Sequence, residues 1–285
     1  MQIYKSKEIV EKITNELREQ FTVLAHDLGR KPRLAIIQVG EHEASAKYIQ
    51  KKMQKATEVN VEAKLYHFPV EITKRDLLKA IDEINEEADG IIVQLPLPTS
   101  LPSQIILDSV RIEKDIDGLS NRNEFNFYND KTKYFHSTPA TALAVKELVN
   151  YYNIDVKGKR VGVIGRSHLV GKPIAHIMKQ MGAIVSTYSK KSTIKGIEVC
   201  DVIVTGAGDP LMLKREHIKE GAIIIDVGAT YIEQDGKKVL FGDLDTTDLE
   251  GWVQGYSPAP GGVGPLTVVS LFKNLVEAIK HKIGI

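Results

Sequence analysis

Tyr48 and Lys52 are four residues apart in a stretch whose pattern predicts a helix, so the two side chains would share one helical face. A lysine that turns inward loses hydration, which lowers its pKa and lets it exchange protons near neutral pH. Gln94 ends an apolar run and could hydrogen-bond such a lysine. The nearby Lys51 and Lys55 leave open a plainer interpretation, in which this segment is a solvated basic helix.

Two carboxylates, Asp115 and Asp117, flank Ile116 and are followed by a glycine. In an extended backbone their side chains would point to opposite sides. Asp117 could then accept hydrogen bonds from N–H groups of a heterocycle. Asp-Gly is also a common turn sequence, so turn formation is the alternative explanation.

A glycine-containing turn follows the apolar run 161–164 and leads into a helical pattern after Pro173. Such a strand–turn–helix unit brings backbone N–H groups and a positive helix end close to a phosphate. The spacing of Gly165 and Gly171 matches neither G-x-G-x-x-G nor the P-loop, so a tight turn without a ligand remains possible. Arg166 favours the phosphate, because a guanidinium there can pair with it.

The segment 258–265 contains three glycines and three prolines in eight residues. This composition predicts a stiff loop with sharp bends. A domain linker is one interpretation. The other is a loop whose bare backbone lets a flat ligand approach closely.

The elements that must position these residues alternate between strand and helix. Continuous apolar strands with intervening helices predict a parallel sheet covered on both faces. Ligands bind such sheets beyond the carboxyl ends of the strands, where Gly165, Gly206 and Gly228 would gather. Predicted strands cover 34–40, 90–98, 161–164, 184–188, 201–206, 222–228 and a short 239–242, and a polar loop runs over 115–136.

Length and composition set the class of protein. A chain of 285 residues is long enough for two domains, and a net charge of +1 predicts no nucleic-acid or membrane partner. The single cysteine, Cys200, excludes an intramolecular disulfide and fits a reducing compartment. The N-terminus shows no apolar stretch of signal-peptide or transmembrane length, so we expect a cytoplasmic protein. The eight histidines show no metal-ligand spacing, so we expect no metal.

Taken together, seven stretches in order along the chain resemble the bifunctional methylenetetrahydrofolate dehydrogenase/methenyltetrahydrofolate cyclohydrolase family. The most specific are Val-Gln-Leu-Pro-Leu-Pro and Pro-Gly-Gly-Val-Gly-Pro. The stretches are Tyr48 with Lys52, 90–98, 114–118, 137–139, 165–173, 225–228 and 260–267.

The resemblance implies an α/β fold of two domains, the second a Rossmann-like doubly wound parallel sheet, with the active site in the interdomain cleft. A folate/catalytic domain would comprise 1–138 plus 267–285, and an NADP-binding domain 139–266. The resemblance also implies a homodimer, tetrahydrofolate derivatives as substrates and a place in one-carbon metabolism and purine biosynthesis.

The implied reaction is the oxidation of methylenetetrahydrofolate by NADP, followed by hydrolysis of the methenyl product to 10-formyltetrahydrofolate. By the same resemblance Lys52 is the catalytic lysine, Tyr48 orients it, Gln94 hydrogen-bonds it and Asp117 anchors the pterin. Further substrate-binding residues would be Leu95, Pro260, Gly261 and Gly262. Cofactor-binding residues would be Gly165, Arg166, Ser167, Gly171, Ser189, Lys190, Gly206 and Gly228.

The chain departs from the family pattern after the second strand of the dinucleotide domain. Ser189 and Lys190 stand where many members have His-Ser. A lysine can also contact a phosphate, so NADP is expected rather than NAD. Two alternatives are a shikimate dehydrogenase-like two-domain oxidoreductase and a non-enzymatic folate- or nucleotide-binding relative. The two specific stretches disfavour the first alternative, and the intact Lys52, Gln94 and Asp117 disfavour the second.

Overall fold

The computed structural model describes residues 1–129, 134–189, 194–234 and 237–285, and an α/β architecture is evident in them. Within these ranges eight α-helices and eleven β-strands alternate along the chain. The chain divides into two compact units. One comprises Lys12–Ala140 and Val268–Ile285, and is called the three-strand unit below. The other comprises Met1–Glu11 and Thr141–Thr267, and is called the six-strand unit.

The three-strand unit is built on a parallel sheet in the order β3-β2-β4. The core on one side of this sheet contains Ala35, Ile37, Leu77, Ile81, Ile91 and Val93. Leu77, Ile81 and Ile84 repeat at helical spacing on the buried face of α3, whose first turn is capped by the Thr73 side chain. The bounds are β2 Arg33–Val39, α2 Glu43–Glu58, β3 Glu62–Phe68, α3 Lys74–Glu87, β4 Gly90–Val93, α4 Ser103–Asp108 and α5 Asn121–Tyr128.

The six-strand unit contains a parallel sheet in the order β1-β11-β8-β7-β5-β6. Its central strands β7 and β8 are buried along their whole length, as their continuous apolar sequence predicts. The bounds are β1 Gln2–Ile3, β5 Arg160–Ile164, α7 Gly171–Gln180, β6 Ile184–Tyr188, β7 Val202–Thr205, β8 Ile223–Asp226, β9 Thr230–Gln234, β10 Lys237–Phe241 and β11 Gly255–Ser257.

Three helices have residues in both units: α1 Lys7–Leu28, α6 Ala140–Tyr151 and α8 Val263–Ile283. Helix α1 is amphipathic. Its apolar side chains are buried at helical spacing: Ile9, Ile13, Leu17, Phe21 and Leu24.

Strand β1 pairs with β11, and Met1–Glu11 lies in the six-strand unit. The predicted domain boundaries, 1–138 plus 267–285 and 139–266, stay a prediction. The structure differs from the sequence prediction at two places. The predicted polar loop 115–136 contains helix α5, which begins at a Ser120 cap. The short strand predicted at 239–242 is the second arm of an antiparallel hairpin, β9–β10.

Candidate active site

Helix α2 presents Lys52 to the interior of the three-strand unit. Only 8% of Lys52 is exposed, whereas Lys51 on the same helix is exposed to solvent. The Lys52 Nζ donates a hydrogen bond of 3.0 Å to Gln94 Oε1. Lys52 therefore points inward and contacts Gln94, as the catalytic interpretation requires. A lysine on a solvated basic helix would do neither.

Gln94 is held by the sheet and by its own side chain. Its backbone N–H donates to the Ile37 carbonyl at 2.8 Å, which extends the pairing of β4 with β2. Its side-chain Nε2 donates to the Leu95 carbonyl at 2.7 Å. The amide nitrogen is thus used locally, and the amide oxygen is left to face Lys52.

Burial lowers the pKa of Lys52, and the nearby Asp117 carboxylate opposes this shift. Burial raises the pKa of Asp117, while the positive charge of Lys52 lowers it. The two side chains thus interact electrostatically inside the same unit, which brings Tyr48, Lys52, Gln94 and Asp117 into one region. A lysine in such surroundings is neutral at a lower pH than a surface lysine, and Asp117 stabilises its protonated form.

Asp115 forms the turn that presents Asp117. The buried Asp115 carboxylate accepts hydrogen bonds from three backbone N–H groups, at Gly118 (2.9 Å), Leu119 (3.3 Å) and Ser120 (2.8 Å). Of the two interpretations of this motif, turn formation therefore applies to Asp115. Binding of a heterocycle stays a prediction for Asp117. Three donors on one carboxylate fix the backbone on which Asp117 stands.

Two buried asparagines on neighbouring helices hold the backbone around Asp117 in place. Sequence reasoning missed both. Asn123 on α5 donates to the carbonyls of Gly118 and Ser137 and accepts from the Ser137 N–H. Asn274 on α8 donates to the carbonyls of Ile116 (2.8 Å) and Thr138 (2.7 Å). Asn274 could have been noticed in the sequence, because it is a polar residue inside the apolar pattern of the last helix.

Tyr48 lies one helical turn before Lys52 and is partly buried. The Lys51 Nζ is 5.8 Å from the centre of its ring. Pro260, Gly261 and Gly262 lie in the six-strand unit, just before α8. The Gly261 carbonyl accepts hydrogen bonds from the backbone and the side chain of Ser6, each at 3.0 Å, so the N-terminal segment fixes this loop.

In the six-strand unit, the glycine turn lies between β5 and α7. Gly165 has a φ of +113°, which favours glycine. A Cβ at Gly171 would lie 1.9 Å from the Gly165 carbonyl oxygen, and one at Gly165 would lie 2.7 Å from the Gly206 carbonyl oxygen. Close backbone packing therefore accounts for these glycines, and contact with a cofactor stays a prediction for each of them.

Arg166 and Ser167 follow this turn on an exposed loop at the beginning of α7. The Arg166 guanidinium donates to the Thr187 carbonyl at 2.9 Å, so it lies against the end of β6. The Ser167 Oγ accepts from the Val170 N–H at 3.2 Å. An exposed loop at a helix N-terminus with a guanidinium beside it fits the phosphates of a dinucleotide.

Ser189 is partly buried and follows β6 directly, whereas Lys190 lies outside the described residues. Gly206 and Gly228 follow β7 and β8, so they lie at the carboxyl edge of the sheet together with Gly165. This edge is where ligands bind parallel sheets. The predicted cofactor residues that the structure describes therefore gather at one place in the six-strand unit.

Neither a cluster of metal ligands nor a membrane-spanning helix is present in the described parts of the chain. No group of three or more His, Cys, Asp and Glu side chains there could hold a metal ion. No helix in these ranges is both long and apolar enough to cross a membrane.

Two family models match the chain. The catalytic domain of tetrahydrofolate dehydrogenase/cyclohydrolase matches residues 4–117, and the NAD(P)-binding domain of the same family matches residues 139–283. The bifunctional protein FolD of Mycoplasmopsis synoviae is 49% identical over 283 residues, which are 98% of this chain and 100% of that protein.

Solved structures agree with these matches. The crystal structure of the bifunctional FolD methylenetetrahydrofolate dehydrogenase/cyclohydrolase of Campylobacter jejuni superposes with a TM-score of 0.92 at 34% identity, covering 99% of each chain. The Trypanosoma brucei FolD structure, complexed with NADP cofactor and inhibitor, also has a TM-score of 0.92, at 29% identity over 99% of this chain and 98% of that one. Full-length similarity at these identities, together with the two domain matches, shows that the chain belongs to the tetrahydrofolate dehydrogenase/cyclohydrolase family.

Proposed function

We propose that this protein oxidises 5,10-methylenetetrahydrofolate with NADP and hydrolyses the resulting methenyltetrahydrofolate to 10-formyltetrahydrofolate. The observation that carries this proposal is the buried Lys52, hydrogen-bonded to Gln94 and interacting with Asp117, in a chain of this family. Family membership favours this function over a shikimate dehydrogenase-like oxidoreductase. The intact group of three side chains favours an enzyme over a non-enzymatic binding relative.

The first step removes a hydride from the methylene carbon between two folate nitrogens. Bound NADP supplies the hydride acceptor. The protein's part is to hold the carbon within reacting distance, which is a matter of position and not of proton transfer. Asp117 would anchor the pterin N–H groups, and Tyr48 would pack beside the ring system. The product carbon is cationic, so a neutral Lys52 beside it is favoured over a charged one.

The second step adds water to this cationic carbon. A C–O bond forms and one proton leaves the water, which gives a neutral adduct with a hydroxyl on the carbon. The hydroxyl then loses its proton to become the formyl C=O, while the bond from the carbon to one ring nitrogen breaks and that nitrogen takes up a proton, so that one proton is released overall. Neutral Lys52 has a lone pair that can take the proton. Its hydrogen bond to Gln94 orients the amine, and Asp117 stabilises the ammonium that results.

Two features support NADP over NAD. Arg166 lies against the end of β6, the strand after which a Rossmann-like domain recognises the ribose 2′ position. The residues that follow this strand are Ser189 and Lys190, not the acidic residue that would bind a free 2′-hydroxyl. Arg166 would therefore pair with the 2′-phosphate.

A spectroscopic assay tests the proposal. Purified protein is mixed with methylenetetrahydrofolate and either NADP or NAD, and reduced cofactor and methenyl product are followed separately. We expect reduced NADP to accumulate, with methenyl product hydrolysed as it forms. If folded protein reduces neither cofactor, the dehydrogenase proposal fails. A preference for NAD would overturn only the assignment of Arg166 and the residues after β6.

The same proposal includes the setting of the reaction. Soluble folate derivatives as substrates are consistent with a cytoplasmic protein that supplies one-carbon units to purine biosynthesis. A homodimer remains part of this proposal, and sedimentation of the purified protein tests it.

A further inference from the structure

Two buried aspartates are linked to each other beneath the carboxyl edge of the six-strand sheet. Asp226 ends β8, and Asp243 follows β10; the two residues are 3% and 0% exposed. The Asp226 Oδ1 accepts the backbone N–H of Asp243 at 3.2 Å and that of Gly228 at 2.8 Å, and its Oδ2 accepts the N–H of Leu244 at 3.0 Å.

Asp243 in turn holds the segment that follows β7. Its Oδ2 accepts the Thr205 hydroxyl at 2.8 Å and the Ala207 N–H at 2.6 Å. Its Oδ1 accepts the Asp209 N–H at 2.9 Å. Gly206, at the carboxyl edge of the sheet, therefore lies between two residues that are both bonded to Asp243.

Two glycines pack closely against the pair. A Cβ at Gly228 would lie 2.5 Å from Asp243 Oδ1, and a Cβ at Gly242 would lie 2.0 Å from Asp226 Oδ2. Gly228 is thus a glycine because a carboxylate packs against it. The segments after β7 and β8 are fixed to one rigid centre.

All donors to these two carboxylates in the hydrogen bonds above are neutral. Burial, together with the neighbouring Asp243 charge, raises the pKa of Asp226 to about 6, although backbone donors oppose the shift. Burying two adjacent carboxylates costs free energy, and the hydrogen bonds from these neutral donors offset that cost.

We infer that Asp243 is a positioning residue for the dinucleotide cofactor: it fixes the backbone of 206–209 in the shape that binds the cofactor at the sheet edge. This inference rests on the proposed function. Asp243 itself is buried and acts through the N–H groups of Ala207 and Asp209.

The substitution Asp243→Asn isolates this role. All three partners of Asp243 are donors, so the new NH2 group must face either the Ala207 N–H or the Asp209 N–H. In both orientations the segment 206–209 loses a charge-assisted hydrogen bond and gains a donor–donor contact. Side-chain volume is almost unchanged, so the sheet should still form.

The test measures cofactor binding and a reaction that needs no cofactor. We expect Asp243→Asn to raise the dissociation constant of NADP, measured by calorimetry, by ~10-fold or more. Hydrolysis of added methenyltetrahydrofolate should stay within about twofold of the wild-type rate, because Lys52 lies in the other unit. Asp248→Asn makes the same chemical change at an exposed site and should alter neither quantity.

An unchanged NADP dissociation constant in Asp243→Asn would overturn the inference, and so would a parallel loss of binding and hydrolysis, which indicates general damage. If Asp243→Asn does not fold, Thr205→Val is the test, because it removes one hydrogen-bond donor to Asp243. NADP binding that is several-fold weaker supports the inference, and unchanged binding overturns it. Failure of wild-type protein to bind NADP would instead refute the proposed function, before any variant is compared.

Discussion

Replacing Lys52 by methionine separates the two proposed activities. Methionine keeps much of the side-chain length and suits a position that is only 8% exposed, but it cannot take a proton. Hydride transfer needs position and an acceptor, whereas water addition also needs proton movement. In Lys52→Met we therefore expect cyclohydrolase activity to collapse while part of the dehydrogenase activity survives.

The size of the effect follows from the role of the amine. A well-placed general base contributes ~100- to 10,000-fold in rate. The substitution also removes the donor to the partly buried Gln94 Oε1, and leaving such an acceptor unpaired costs up to about 1–3 kcal/mol of stability. The fold of the variant is checked by urea unfolding, so that lost activity is not confused with lost protein.

The assay follows methenyl product and reduced NADP in one cuvette. Methenyl product should accumulate in Lys52→Met and not in wild type. Lys51→Met is the matched control, because Lys51 is exposed on the same helix and its loss makes the same change in charge. If the two variants behave alike, or if Lys52→Met loses both activities in proportion, Lys52 is not the proton-transfer group.

Two further predictions concern charge. Arg166→Ala should raise the KM for NADP ~10- to 100-fold more than that for NAD, since a charge-assisted contact is worth about 1.5–3 kcal/mol; equal weakening would place Arg166 on a part common to both cofactors. Burial opposes ionisation of Asp89, but hydrogen bonds from Arg30 and Lys282 keep its pKa below the usual value. The stability that ionised Asp89 contributes is therefore fully present above the pKa of ~3.9 in the unfolded chain. It is lost as pH falls through the lower pKa of the folded protein. Asp89→Asn should lower the free energy of unfolding at neutral pH by about 3 kcal/mol, and it should flatten the decline of that free energy toward pH ~3, both measured by urea unfolding. The exposed Asp82→Asn should do neither. An equal loss of stability in both variants would contradict the role of Asp89.

Local patterns suggested Tyr48, Lys52 and Gln94 as a group, whereas only the family resemblance placed Asp117 in the same site. Tyr48 and Lys52 have helical spacing, Gln94 ends an apolar strand, and Asp117 follows another aspartate by two residues. Local spacing fixes which side chains share a face, whereas the pairing that brings β4 beside β2 is seen only in the structure.

Contacts between distant residues could not be predicted in the same way. Asp243 is bonded to Ala207 and Asp209, more than thirty positions earlier, and nothing in the local sequence names those partners. Strand β1 has only two residues, too few for any periodicity, and its place is set by pairing with β11. Helix α5 was hidden because three of its eight residues are asparagines, which favour turns in isolation.

The claim that burial keeps Lys52 available as a base is tested most directly by measuring its pKa. Protein labelled with ¹³C at the lysine Cε is titrated by NMR, and the Lys52 resonance is identified as the one absent from Lys52→Met. Burial predicts that this resonance titrates below the range of the surface lysines. A Lys52 that titrates with the surface lysines, near ~10.4, would contradict the proposed mechanism.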